Sequence, residues 1–190
     1  MKSDYLTAQE AEQLVAALPY EYRPIVVAAI ETGFRIGDLC AARTHMFDPR
    51  ERTLIIKEQK TGKYRTAEVT NRLLLVIQGT AADLDKKLLF QKYLFEREPC
   101  VGMCRQTVWR WVTRTWERLH KGEGRNISPH SFRKLYAVNK RLRGASLADI
   151  KRDLNHDRIE TTMVYALADM LHEAEAAEDD YTVTLPSDSV

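Results

Sequence analysis

Cysteine is scarce in this chain. Its 190 residues include only Cys40, Cys100 and Cys104. That is too few, and an odd number, for a disulfide framework, so a reducing cytosol is expected. No histidine or further cysteine stands at finger spacing to complete a zinc site around Cys100 and Cys104, and no metal is expected. Long apolar runs are also missing. None approaches the length of a membrane span, and no signal peptide is present, so the reading is a cytoplasmic protein that does not enter a membrane. No repeat, low-complexity tract or Gly/Ser-rich linker interrupts the chain. Its length suits one domain of ordinary size with room for a real core.

Basic residues are absent from one stretch. From Leu171 onward there are six acids (Glu173, Glu175, Glu178, Asp179, Asp180 and Asp188) and no lysine or arginine. The formal charge of +2 therefore hides a split, with 29 bases against 21 acids in the remainder, a net +8. A basic body with an acidic tail fits a polyanion-binding protein. It fits a solvated surface with a charged end as well.

The patterning predicts a mainly α fold with one small antiparallel β-sheet. Thr7 and Glu10 form a capping-box pair that opens a first helix. A second helix runs to about Ile30 and breaks at Gly33, and 36–43 reads as a third. Residues 53–56 and 64–69 read as two strands joined around Lys60-Thr61-Gly62-Lys63. Thr70 caps a short helix ending at Gln78, and 79–103 reads as loop. Helices follow at about 105–119, 128–143, 146–154 and 158–170, with Ser128-Pro129 a good start and Gly144 a good stop. The 128–143 helix reads as two-faced, with Phe132, Leu135, Tyr136, Asn139 and Leu142 opposite His130, Arg133, Lys134, Ala137 and Arg141. In the last helix Ile159, Met163, Ala166, Leu167 and Met170 share an apolar face. Tyr165 falls on the other side, with Arg158, Thr162 and Asp169.

Tyr165, His156, His130, Arg133 and Arg35 make joint chemical sense as a tyrosine nucleophile among phosphate-binding cations. Taken singly each has a plainer reading: a solvated basic face, a helix-end histidine, an arginine paired with Asp38. Phosphodiester cleavage by tyrosine builds charge on the non-bridging oxygens. Two arginines can fork onto those oxygens, and a histidine adds a donor. A free tyrosine has a pKa of about 10, so phenolate at pH 7 costs roughly 4 kcal/mol, which a cationic pocket or a base must offset. The leaving 5′-oxygen needs a proton, and a lysine on a hairpin can supply it, although Lys60 in its turn is, taken alone, an ordinary exposed lysine. Neither metal nor ATP is needed, because arginines carry the positive charge and the phosphotyrosine bond keeps the energy of the broken diester. No cofactor is expected.

Four segments in this order resemble one family. They are Thr32-Gly33-Phe34-Arg35-Ile36-Gly37-Asp38-Leu39-Cys40, the Lys60-Thr61-Gly62-Lys63 turn, His130-Ser131-Phe132-Arg133, and Leu154-Asn155-His156 followed by Tyr165. Together they are similar to the tyrosine recombinase (phage integrase) catalytic domain, and most to the lambda-type integrases, over about residues 6–170. The resemblance implies the DNA breaking–rejoining fold and a site-specific recombinase acting through a 3′-phosphotyrosine intermediate. Arg35 and Arg133 would hold the scissile phosphate, with Asp38 buttressing Arg35. Lys60, preferred over its neighbour Lys63, would protonate the leaving oxygen. His130 would assist proton transfer or bind phosphate, His156 would bind phosphate, and Tyr165 would attack. Asn155 departs from the commonest residue there, glycine.

The resemblance also implies partners: a double-stranded DNA recombination site, a homo-oligomer of up to four protomers on it, and an accessory directionality or bending protein. The domain organisation expected is a catalytic domain over 1–170 without an N-terminal core-binding domain, then an acidic tail over 171–190. Tyr181 to Leu185 in that tail reads equally as a strand exchanged between protomers and as part of a solvated acidic end. On the 105–119 helix, Val108, Trp109, Val112, Trp116 and Leu119 form a core stripe. Arg110, Arg114 and Arg118 line the opposite side, for solvent or for DNA phosphates. With Lys63 and Lys134 these are the candidate DNA contacts. The alternatives are a topoisomerase IB-like enzyme, with the same chemistry, and a non-catalytic DNA-binding protein.

Overall fold

The computed structural model describes residues 3–79, 84–98 and 100–154. The chain divides into two compact units, Met1–Asn155 and His156–Val190, and all the described residues belong to the first. The expected helix at 158–170, with His156 and Tyr165, lies outside the described residues, as does the tail.

Thr7 caps α1 (Ala8–Ala17) as its sequence predicts. Its Oγ1 accepts from the Glu10 amide at 3.2 Å, and Glu10 Oε2 accepts from the Thr7 amide at 2.8 Å. α2 (Arg23–Thr32) carries Ile25-Val26-Val27-Ala28-Ala29-Ile30, and all six are buried. A helix apolar all round belongs inside, and α2 packs against α1, α3 (Ile36–Ala41), α4 (Asn71–Gln78) and α7 (Pro129–Leu142). It stops at Gly33, whose φ of +64° suits glycine.

The sheet has three strands rather than two. β1 (Phe47–Asp48) pairs with β2 (Thr53–Lys57), which pairs with β3 (Tyr64–Glu68), all antiparallel. Leu54, Ile56, Arg65 and Ala67 face inward at the period of two that a half-buried strand requires. Past β2 the Glu58 amide donates to Lys63 O at 2.9 Å, and the Gly62 amide to Glu58 O at 2.8 Å. These bonds fix the turn that presents Lys60.

Three expectations are corrected here. The 79–103 stretch is not all loop: it holds α5 (Leu84–Phe90) and a hairpin of β4 (Glu96–Glu98) and β5 (Val101–Gly102). Lys87 of α5 donates to the carbonyls of Ile77 and Gln78, tying α5 to the negative end of α4. Second, α7 is not two-faced. Every residue from Ser131 to Val138 is buried, because α2, α6 (Arg105–Leu119) and α8 (Leu147–Asp153) pack against it. Third, the buried stripe of α6 is Val108, Val112, Thr115 and Trp116, whereas Trp109 is 50% exposed and Leu119 42%. Among the described residues no helix is long and apolar enough to cross a membrane.

Candidate active site

Arg35 occupies the N-cap position of α3 with extended backbone, and its side chain is a quarter exposed. Its Nη1 lies 2.7 Å from Glu58 Oε1 and 4.0 Å from Asp38 Oδ2. Glu58 is thus its nearer carboxylate, and the expected buttress Asp38 pairs with Arg35 at longer range. Asp38 also accepts the Gln59 amide at 3.0 Å and ties α3 to the β2–β3 turn.

Glu58 is wholly buried and serves several groups. Thr61 Oγ1 donates to its Oε2 at 2.9 Å, and Arg133 Nη1 stands 3.8 Å from its Oε1. Burial pushes this carboxyl up. Hydrogen bonds from Arg35 and Thr61 and the charges of Arg35 and Arg133 outweigh it and hold Glu58 below the usual range. Asp38 goes the other way: burial, then the Glu58 charge, raise it against the Gln59 amide and the two arginines.

Arg133 is 2% exposed. Its Nη1 donates to Gly33 O at 2.6 Å and its Nη2 to Leu154 O. One guanidinium therefore joins the turn before Arg35 to the end of α8, the segment that leads to His156. Burial, then repulsion from Arg35 and Arg65, pull Arg133 down to about 9, while Glu58 and Asp38 favour its charge. It stays a cation at neutral pH.

A cavity of about 700 Å³ opens beside these groups. Arg35 and Asp38, Gln59 and Lys60, and His130 and Arg133 all line it. Arg105, Gln106 and Trp109 of α6 line it as well. Four of the six expected catalytic residues thus share one cavity, although they come from α3, the hairpin and α7. Lys63, exposed on the same turn, does not line it. Cations from three segments of the chain lining a cavity of this size suit an anionic, phosphate-bearing ligand.

The expected DNA contacts fare unequally. Arg110 and Arg114 are exposed on α6. Arg118, also exposed, donates to Ala17 O at 3.0 Å and so braces the end of α1. Lys134 is buried, its Nζ donates to Ser3 O at 2.5 Å and lies 4.6 Å from the Tyr5 ring centroid, so it holds the N-terminal segment.

Sequence reasoning missed Glu58 and Trp109. Strand parity carried the signal for the first, since Glu58 follows Leu54 and Ile56 at steps of two. Nothing in the helical period separates Trp109 from the core stripe, because it sits at the stripe's edge. Away from this site, Glu10, His120 and Glu123 bring ligand atoms within 4.8 Å of one another. Arg125 already pairs with both carboxylates there, so that cluster has its own counter-charge.

Residues 4–172 match the model of the Phage integrase family. The chain is 27% identical over 179 residues to the tyrosine recombinase XerA of Pyrococcus furiosus, covering 91% of this chain and 60% of that protein. The crystal structure of XerA recombinase superposes with a TM-score of 0.72 at 22% identity, over 92% of this chain and 66% of that one. A lambda integrase (75-356) dimer bound to a COC′ core site gives 0.67 at 21% identity, over 83% and 59%. These structures share the fold, and the chain spans about 60% of the length of the curated XerA relatives.

Proposed function

Because this chain belongs to the phage integrase family, we propose that it is a site-specific tyrosine recombinase that cleaves and rejoins DNA without metal or ATP. The observation that carries the reading is the convergence of Arg35, Lys60, His130 and Arg133 on one cavity, with Glu58 anchoring the arginine pair. Arg35 and Arg133 bind the non-bridging oxygens of the scissile phosphate, and their charge stabilises the transition state. Tyr165 Oη passes its proton to His130 and attacks phosphorus as the bond to the 5′-oxygen breaks, and Lys60 gives that oxygen its proton. His130 and His156 assist at the phosphate. The products are a 3′-phosphotyrosine and a 5′-hydroxyl. Attack by a 5′-hydroxyl from another strand reverses the chemistry and rejoins DNA, so no external energy enters.

The partner is a double-stranded recombination site. Several protomers assemble on it, as the lambda integrase dimer does on its core site. Relaxation of supercoiled plasmid in EDTA, with SDS trapping of covalent adducts, tests the reading. Wild type is expected to relax DNA and form an adduct, and Tyr165→Phe to do neither. Adducts of equal yield in Tyr165→Phe would remove the nucleophile assignment. Intact DNA binding with no wild-type adduct, on nicked substrates at high protein concentration as well, would favour a binding module.

A further inference from the structure

Arg65 is a charged residue on the inward face of β3, opposite Ile56 and two residues before Ala67. It is 5% exposed, and the chemistry above does not use it. A buried guanidinium is costly unless it is paired, so what it grips matters. Its Nη2 donates to the carbonyl of Thr32. Its guanidinium stands 4.3 Å from the centroid of the Phe34 ring and 5.6 Å from that of Tyr136. Both the carbonyl and the Phe34 ring belong to the short turn that delivers Arg35.

That turn is held from its other side too. Arg133 takes the neighbouring carbonyl, Gly33 O, at 2.6 Å. The Tyr136 ring lies so close to Gly33 that a Cβ there would stand 2.5 Å from its Cδ1. The end of α2 carries unsatisfied carbonyls and the negative end of the helix dipole. Two guanidiniums, from β3 and α7, take successive carbonyls at that end and leave the Thr32–Phe34 backbone little freedom. Arg65 and Lys60 also lie on one hairpin, whose turn Asp38 and Glu58 tie to α3 and Arg35. The hairpin that presents the general acid therefore also grips the turn that presents the phosphate ligand.

We infer that Arg65 is a positioning residue of the phosphate site, fixing the turn before Arg35 from the β3 side and coupling it to the Lys60 hairpin. The inference rests on the recombinase reading. Arg65 touches no reacting atom; it acts through Arg35, and its effect belongs in the chemical step rather than in DNA affinity.

The test is single-turnover adduct formation on a nicked duplex, with DNA affinity measured in parallel, for Arg65→Met and Arg65→Lys in wild-type and Arg35→Lys backgrounds. In the wild-type background Arg65→Met is expected to slow adduct formation roughly 10- to 100-fold, the scale of a small misplacement of a catalytic group, with affinity held within about threefold. Arg65→Lys, which keeps a donor for Thr32 O, recovers part of that rate. In the Arg35→Lys background Arg65→Met costs less than about threefold, because the group it positions is already compromised. Wild-type rates in Arg65→Met, an equal fold loss in both backgrounds, or parallel loss of affinity and thermal stability would each overturn the inference. Should Arg65→Met fail to fold, Phe34→Leu, which removes the ring beneath the guanidinium, meets the same criteria. A wild type that forms no adduct overturns the recombinase reading instead.

Discussion

At the scale of single residues, Glu58 is the buried counter-charge of two arginines, 2.7 Å from Arg35 and 3.8 Å from Arg133. Changing it to glutamine keeps the shape and removes the charge. Glu58→Gln is expected to slow adduct formation at least about tenfold, since Arg35 loses the partner that aims it. It should also cost about 1.5–3 kcal/mol of stability, the scale of a hydrogen bond to a charged group. The stability loss carries a pH signature. The folded pKa of Glu58 lies below its ordinary 4.5, so its contribution is complete above that pH and is lost as pH falls through the folded value. Asp38, whose pKa is raised, favours the fold when protonated and loses that contribution as pH rises, so it does not cause the acid loss. Denaturation of both proteins from pH 3 to pH 7 should show a constant gap above about pH 5 that narrows in acid; equal gaps at both ends would dismiss the charge as its origin. Arg35, Lys60, His130 and Arg133 stand out in the sequence because each stands in a recognisable run, and the structure brings all four to one cavity. Glu58 does not stand out, because its importance comes from where the β2–β3 turn folds it.

At the scale of elements, local chemistry was read well and wrapping was not. The caps at Thr7 and Thr70, the stop at Gly33 and the full span of α6 follow from side chains within a few positions of each boundary. The burial of α7 depends on α2, α6 and α8 closing around it, and on backbone carbonyls that take Arg133 and Lys134 inside. No helical period in α7 alone encodes that. α6 shows the same contrast in its arginines. Arg114 is exposed, while Arg118 donates to the end of α1. Arg114→Gln is expected to lower the slope of log affinity against log salt by about 0.9, one phosphate contact. Arg118→Gln is expected to leave that slope alone and cost about 1 kcal/mol of stability. Titration of duplex DNA from 50 to 300 mM salt separates the two; equal slopes for wild type and Arg114→Gln would take Arg114 off the DNA.

At the scale of the whole molecule, charge is divided along the chain: the body carries a net +8, and six acids follow Leu171 without a base. The family match ends at residue 172, so the remaining residues can be removed without touching it. Two effects of that deletion can be separated by salt and by stoichiometry. Six negative charges near a polyanion oppose binding over about one Debye length, roughly 10 Å at 0.1 M salt. Removing residues 173–190 is therefore expected to tighten the first protomer's binding several-fold at low salt, with the gain fading towards about 0.5 M. An exchanged segment, by contrast, contributes contacts that exist only between protomers, and their loss is insensitive to DNA charge. On that reading the deleted protein binds as a single protomer and fails to form the larger complexes at any salt. Gel-shift stoichiometry across a salt series reads both at once. Larger complexes forming as readily as in the full chain would end the exchange proposal. Unchanged first-protomer affinity at low salt would mean that the acidic stretch is held away from the DNA.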